Sequence, residues 1–277
     1  MTGTWFLPPD FTFTTTGPLR LGMVISHWSK PTAVLATLGS GNEVQLPATA
    51  TIVESNHAHN RSSSQSTSLG MWAKFEGIAS ASANQSIGKS RSIDYSKTDH
   101  EIRFFSDPVT PEAVTAIANL PAVRAHIDSG LFGKRPIYLV SGLRIATSSF
   151  TVTTENSSQL ALGAEASGPP AGTVPAEVGG KLEHEQQRAV TDSYDTAPGI
   201  VFAYRLHVIR TRRAGSEAEL FSHKGAFLTG EREQEKEPLL LLEATKDEID
   251  GDVEEDVEYE SVDVGEDDLC IYLPPKG

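Results

Sequence analysis

Two stretches of the chain alternate apolar and polar residues for longer than one ordinary strand. From Met71, one face reads Met71, Ala73, Phe75, Gly77, Ala79, Ala81 and Ala83, and the other Trp72, Lys74, Glu76, Ile78, Ser80 and Ser82. Side chains on a strand point to opposite faces in turn, so this pattern predicts a long strand. A polar turn at residues 84–86 then predicts a return strand through Ile87, Lys89, Arg91, Ile93 and Tyr95. The second stretch begins at Ile137. Ile137 to Val140 is apolar on both faces, as in a buried strand. Alternation follows through Leu143 and Ile145 against Arg144, then Phe150 and Val152 against Thr151 and Thr153. Asn156 to Ser158 predicts a turn, and Leu160, Leu162, Ala164 and Ala166 a return.

Shorter signals fill in the rest. Residues 1–18 read as an extended arm anchored by Trp5, Phe6, Phe11 and Phe13. Leu19–Ile25, Ala33–Leu38, Ala50–Val53 and Ile102–Phe105 are strand-length apolar runs. Gly199 to Ile209 predicts a central strand. Helix signals gather only after Asp107-Pro108: Thr110 suits an N-cap, Pro111 the first helical position and Glu112 the first turn. Ala113, Val114, Ile117 and Leu120 form the apolar stripe, Pro121 ends it, and a second short helix is expected through Val123 and Ile127. Residues 57–68 and 168–180 have loop composition, and residues 214–238 read as an exposed linker. No solenoid repeat is visible.

Charge changes the picture at the C-terminus. The chain of 277 residues has 23 basic and 37 acidic side chains, a net charge of −14. Residues 231–277 hold 18 of the acidic and 4 of the basic ones, which leaves 19 of each in residues 1–230. A neutral body carries an acidic tail, whose apolar residues (Leu239–Leu242, Ile249, Val253, Val257, Val262, Val264, Leu269, Ile271, Leu273) are spaced among acids. This balance gives no reason to expect a nucleic-acid partner. One cysteine, Cys270, excludes an internal disulfide and a multi-cysteine zinc site. No run approaches the roughly 18 apolar residues of a spanning helix. The opening residues show no signal-peptide pattern. The sequons at Asn60, Asn84 and Asn156 then fit a Ser-rich sequence, and a soluble cytoplasmic protein is expected.

The familiar catalytic patterns fail one by one. Gly39-Ser40-Gly41 is followed by Val44 where a dinucleotide loop needs its third glycine, and no P-loop lysine follows. His184-Glu185 lacks a second histidine, because Arg188 stands there. His57 and His59 lie in a Ser-rich loop. No Gly-x-Ser-x-Gly elbow exists, and Cys270 sits among acids that disfavour a thiolate. No catalytic residue, metal or cofactor is nominated, and a non-enzyme is expected. What remains is the two alternating regions. They are either surface hairpins with one buried face or strands able to cross a bilayer, for which about 9–11 alternating residues in a closed barrel suffice.

At Ile137-Tyr138-Leu139-Val140-Ser141-Gly142-Leu143-Arg144-Ile145-Ala146 the sequence resembles the strand that leads into the second membrane hairpin of gasdermin pore-forming domains. Gly199-Ile200-Val201-Phe202-Ala203-Tyr204-Arg205-Leu206 is similar to that family's buried closing strand. Trp5-Phe6-Leu7-Pro8-Pro9-Asp10-Phe11 and Gly17-Pro18-Leu19-Arg20-Leu21-Gly22 resemble its fungal branch. The likeness covers roughly residues 5–213. The tail departs from animal gasdermins, whose inhibitory domain is large and helical, and is like that of short-tailed fungal members.

The resemblance implies an α+β fold, a twisted antiparallel sheet with two long amphipathic hairpins and few short helices, like the gasdermin N-terminal domain. It implies three parts: a pore-forming domain (1–213), a linker with a cleavage site (214–238) and an acidic inhibitory segment (239–277). A protease, subtilisin-like in related fungal proteins, would cut the linker; Phe221, Phe227, Leu228, Leu239 and Leu240 are the candidate positions. The freed body would bind anionic membrane lipids, form a homo-oligomer at the plasma membrane and kill the cell. Lys134, Arg135, Arg210, Arg212 and Arg213 are the candidate lipid contacts. Met71, Ala73, Phe75, Ala79, Ala81, Leu143, Ile145, Phe150, Val152, Leu160, Leu162 and Ala164 are the candidate lipid-facing hairpin positions. Each basic side chain near an anionic surface is worth about 1 kcal/mol, so an attached tail of net −14 should oppose binding. The rival expectations are a lipid- or ligand-binding β-module that never inserts and an enzyme with a deep polar pocket.

Overall fold

Two strands organise the molecule in the computed structural model. It describes residues 3–39, 44–54, 71–72, 74–75, 89–94, 99–130, 134–149, 151–156, 190–211, 239–251, 257–265 and 267–274. In chain order the strands are β1 (Thr4–Phe6), β2 (Met23–Ile25), β3 (Val34–Thr37), β4 (Thr49–Glu54), β5 (Lys89–Asp94), β6 (His100–Phe105), β7 (Ile137–Ala146), β8 (Thr151–Asn156), β9 (Val190–Asp195), β10 (Ile200–Thr211), β11 (Leu239–Glu243), β12 (Glu260–Gly265) and β13 (Asp268–Tyr272). Helices α1 (Pro111–Ala118) and α2 (Pro121–Ile127) lie between β6 and β7, and α3 (Lys246–Asp250) between β11 and β12. The protein is mixed α+β, with one large, mostly antiparallel sheet and few short helices.

β7 and β10 pair antiparallel from Ile200↔Ala146 to Ile209↔Ile137. All ten residues of β7 are buried, because each strand is covered on both faces and paired along both edges. β7 carries β2 and then β6 along its outer edge; β10 carries β1 at Tyr204 and β11 from His207 to Thr211. Ser141 and Phe202 are extra residues where the register shifts, the bulges that re-aim side chains locally.

Adjacent residues on a strand serve opposite faces. Tyr138, Val140, Leu143 and Ile145 join Val201, Tyr204, Leu206, Leu19, Met23 and Trp28 on one face. Ile137, Leu139 and Ile209 meet α1 and α2 on the other, through Ala113, Val114, Ile117, Val123 and Ile127. The helix signals hold as expected. The Thr110 hydroxyl accepts from Ala113 N at 3.3 Å, and Pro111 and Pro121 open their helices.

Several elements differ from the sequence-based expectation. Residues 71–72 and 74–75 are helical, not strand. Met71, Trp72 and Phe75 are fully buried among Phe202, Ala203, Trp5 and Leu7, and burial of all three aromatic and sulfur-bearing chains overrides the alternation. The return strand from Lys89 is present as β5, but its partner is β8, in register from Lys89↔Asn156 to Asp94↔Thr151. β8 in turn pairs with β9, a strand that the polar sequence Val190–Asp195 does not advertise. Within the N-terminal arm, Thr4–Phe6 forms a fully buried interior strand, β1, between β10 and β13. The acidic tail is built into the same sheet: β13 runs parallel to β1, β12 pairs with β13, and β11 pairs with β10.

Candidate functional site

The C-terminal segment meets the body along three boundaries. In the first, β13 and β12 close over the residues around Phe75. Cys270 and Tyr272 share an apolar cluster with Trp5, Leu7, Met71, Trp72 and Phe75, and Val262 and Val264 pack on its edge. Lys74 Nζ lies 4.7 Å from the centre of the Tyr272 ring. A hydrogen bond with Tyr272 is the largest influence that raises the Lys74 ammonium above its ordinary range. Burial pushes the Cys270 thiol up to about 12, so this cysteine is packing material and not a nucleophile.

At the second boundary, two carboxylates of the segment hold the N-terminal strand and Arg205. Glu243 Oε1 accepts from Thr4 N at 3.0 Å and lies 3.6 Å from Arg205 Nε. Asp268 accepts from Gly3 N at 3.1 Å and from the Trp5 indole at 3.0 Å, and lies 4.0 Å from Arg205 Nη2. The guanidinium carbons of Arg205 and Arg144 lie 4.5 and 4.6 Å from the Trp5 ring centre, within cation–π range. Gly142 leaves room for Arg205: a Cβ there would stand 3.2 Å from Arg205 Cβ, while its 3.7 Å to Trp5 Cη2 would be ordinary contact.

At the third, α3 and β11 cover the end of β10. Arg210 Nη2 pairs with Glu248 Oε2 at 2.5 Å, both side chains being largely buried. Ile249 and Ala244 enter the core beside Val208 and Leu206.

The register Ile209↔Ile137 brings Arg210 to the same end of the sheet as Lys134 and Arg135. Lys134 is exposed and bonds Asp128 at 3.2 Å, which with Arg124 holds that carboxyl below its usual range; Arg135 is half-buried. Arg212 and Arg213 lie outside the described residues. Of the hairpin candidates, Leu143 and Ile145 are buried in β7, and Val152 is in β8 opposite Ile93 and Tyr194. Met71 and Phe75 are buried as described above, while Ala73, Ala79, Ala81, Phe150, Leu160, Leu162 and Ala164 lie outside the described residues. So do the cleavage candidates Phe221, Phe227 and Leu228. Leu239 and Leu240 are half-buried in β11, paired with Thr211 and Arg210, so a protease reaches them only once that strand is peeled from β10.

A space of about 460 Å³ opens at these boundaries beside Thr4, Leu242, Glu243 and Leu269, and another of about 510 Å³ lies within the body, between β6, β7 and β10. Ile102, Phe104, Phe105 and Val109 are among its apolar lining, and Ser106, Asp107, Ser141, Arg144, Arg205 and His207 its polar lining. His207 Nδ1 is 2.7 Å from Ser141 Oγ, and burial lowers the histidine's pKa below its ordinary value.

Sequence reasoning missed the second boundary. Its signal was present: Arg144 and Arg205 are lone cations inside apolar strands, where a charge requires a partner. Among the described residues, no helix is long and apolar enough to cross a membrane. In comparison with known proteins, the chain matches no family model and no curated relative.

Proposed function

We propose that this protein is an autoinhibited pore-former of gasdermin type. Its C-terminal segment, residues 239–277, holds the body in its resting form in the cytoplasm. Proteolysis in residues 214–238 frees the body to bind anionic lipid, oligomerise and insert a β-barrel into the plasma membrane, causing cell death.

One observation carries this reading: Met71, Trp72 and Phe75 are buried together with Cys270 and Tyr272 of the C-terminal segment. The sequence from Met71 alternates with strand period, yet its described residues are helical. A local pattern in conflict with the adopted structure is a mark of a segment with two competing packings. The C-terminal segment covers the helical one, so its removal favours the other. Charge acts in the same direction, because the segment pairs Glu248 with Arg210 and Glu243 and Asp268 with Arg205.

The test keeps the chain whole: a specific protease site is placed within residues 214–238, and dye release from phosphatidylserine vesicles is followed before and after cutting. Release is expected only after cutting and only from anionic vesicles. Silence after the segment has verifiably dissociated overturns the proposal. That silence combined with vesicle binding would favour the second reading, a non-inserting ligand-binding module, for which the 510 Å³ space with its mixed apolar and polar lining speaks.

A further inference from the structure

We infer that the space between β6, β7 and β10 is a binding site for an uncharged, ring-sized amphiphile that carries a hydroxyl group. The sheet register opens it. Phe104 stands opposite Gly142, and Gly142 opposite Arg205, so one row crosses the three strands with no side chain at its middle. Directly opposed residues of antiparallel strands share a face, and Gly142 is therefore a floor with Phe104 on one side and Arg205 on the other. A glycine inside a strand often marks the close approach of another group. The space also lies where two parts of the core fail to meet. Ile102 packs on the cluster around Phe75, whereas Phe105 and Val109 go with α1 and α2. Its volume of about 510 Å³ falls within the roughly 300–1,000 Å³ of small-molecule sites.

The lining selects the ligand. Ser141 is the extra residue of the β7 bulge, with its Oγ 2.7 Å from His207 Nδ1 and 3.4 Å from the Arg205 carbonyl oxygen. A serine hydroxyl has one proton and two lone pairs. Whichever of Ser141 and His207 donates to the other, Ser141 Oγ keeps a lone pair, so it can accept from a hydroxyl of the ligand. Phe104 and Phe105 offer aromatic surface to an apolar body. Charge argues against an anion despite the two arginines. Arg144 faces Glu54 at 3.7 Å, and Arg205 faces Glu243 at 3.6 Å and Asp268 at 4.0 Å. Asp107 lines the space as well. These four carboxylates outnumber the two guanidiniums, and a negative charge taken out of water here would meet no uncompensated cation. Both guanidiniums also rest on the Trp5 ring, which fixes this wall. The inference rests on the ligand-binding reading of this space, names the class of ligand, and does not depend on whether the protein forms pores.

Three probes with one ring system test it: naphthol, naphthoate and naphthalene, which differ only in hydroxyl and charge. Equilibrium dialysis against the full-length chain at neutral pH reads their dissociation constants. Naphthol is expected to bind at least tenfold more tightly than naphthoate. Ser141→Ala should weaken naphthol about fivefold, the worth of one hydrogen bond, and leave naphthalene unchanged. Phe104→Ala should weaken naphthol and naphthalene alike, by at least fivefold. Naphthoate binding as tightly as naphthol overturns the ligand class and spares the ligand-binding reading. No saturable binding of any probe overturns both. Unchanged naphthol affinity in a Ser141→Ala chain with native near-ultraviolet circular dichroism overturns the role of Ser141 and with it the proposal. If Phe104→Ala does not fold, Ile102→Ala replaces it, since Ile102 is half-buried two residues along the same face of β6. A naphthol affinity indifferent to the wall variant that folds places the probe elsewhere and overturns the site.

Discussion

The centre of the sheet and its C-terminal strands both contribute to the core, although β12 is an exposed edge strand, and they are written in different alphabets. β7 and β10 are nearly continuous apolar runs, with the polar Ser141, Arg144, Arg205 and His207 as interruptions and Arg210 and Thr211 at the end of β10. β11 to β13 come from the most acidic part of the chain, yet Ala244, Cys270 and Ile271 are fully buried. β13 turns Cys270 and Ile271 into the core and Asp268 toward Arg205, while the leucines of β11 are half-buried and its Glu243 faces Arg205. The difference teaches that net charge describes the exposed face of a segment and says little about whether its other face belongs to the core.

The strongest test of that equivalence is to empty one position on each side. Phe202→Ala, in the centre, should destabilise by about 3–5 kcal/mol, and Ile271→Ala, in β13, by about 2–5 kcal/mol, the usual range for large-to-small changes at filled core sites. Urea unfolding followed by circular dichroism reads both. A cost near the surface value of about 0.5 kcal/mol at Ile271 would break the comparison and make the segment a loosely laid cover.

The next effect is electrostatic. Arg210 and Glu248 are 13% and 22% exposed in their side chains, so Glu248→Ala should leave a poorly hydrated guanidinium and cost about 2 kcal/mol. Lys134→Ala removes a pair whose side chains are 37% and 45% exposed, and unfolding midpoints should not move measurably. An equal response from the two would mean that the segment contributes only surface charge at the end of β10.

The legibility of the chain follows the same division. β7, β10 and the two body helices could be read because burial on both faces, or an N-cap with proline after it, leaves a local signature. Val190–Asp195 could not, since a strand of an outlying sheet carries no apolar excess. The residues near Phe75 misled, because strand alternation there coexists with three side chains large enough to be worth burying as a helix. The meeting of Glu243 and Asp268 with Arg205 joins residues distant in sequence, so only the lone arginines hinted at it.

A pH experiment sharpens the view of the boundary where β11 meets β10. His207 faces Glu243 across that boundary and bonds Ser141, with Arg205 nearby. Burial, the largest influence, lowers its folded pKa below the ordinary 6.5. Below about pH 6.5 the unfolded chain therefore binds a proton that the folded chain refuses, and stability falls as pH drops toward the folded value, then levels. Melting temperatures between pH 7.5 and 5 should decline more steeply for wild type than for His207→Asn. Parallel curves would mean that the ring is hydrated in the folded state, and that the β10–β11 boundary is more open than its pairing suggests.

The smallest effect compares two helix starts of the same design. Thr110 caps α1, accepting from Ala113 N at 3.3 Å, and Thr245 caps α3, accepting from Glu248 N at 3.4 Å. Loss of such a cap costs about 1 kcal/mol, because it leaves an amide of the first turn without its acceptor. That cost appears in global unfolding only if the helix is formed whenever the protein is folded. Thr110→Ala and Thr245→Ala should therefore lower the urea midpoint by similar amounts if α3 belongs to the cooperative unit. If α3 frays before the sheet opens, Thr245→Ala will leave the global midpoint unchanged and instead speed amide exchange at residues 246–250. The C-terminal segment would then begin its departure at α3, and the Arg210–Glu248 ion pair would open before any other part of the boundary.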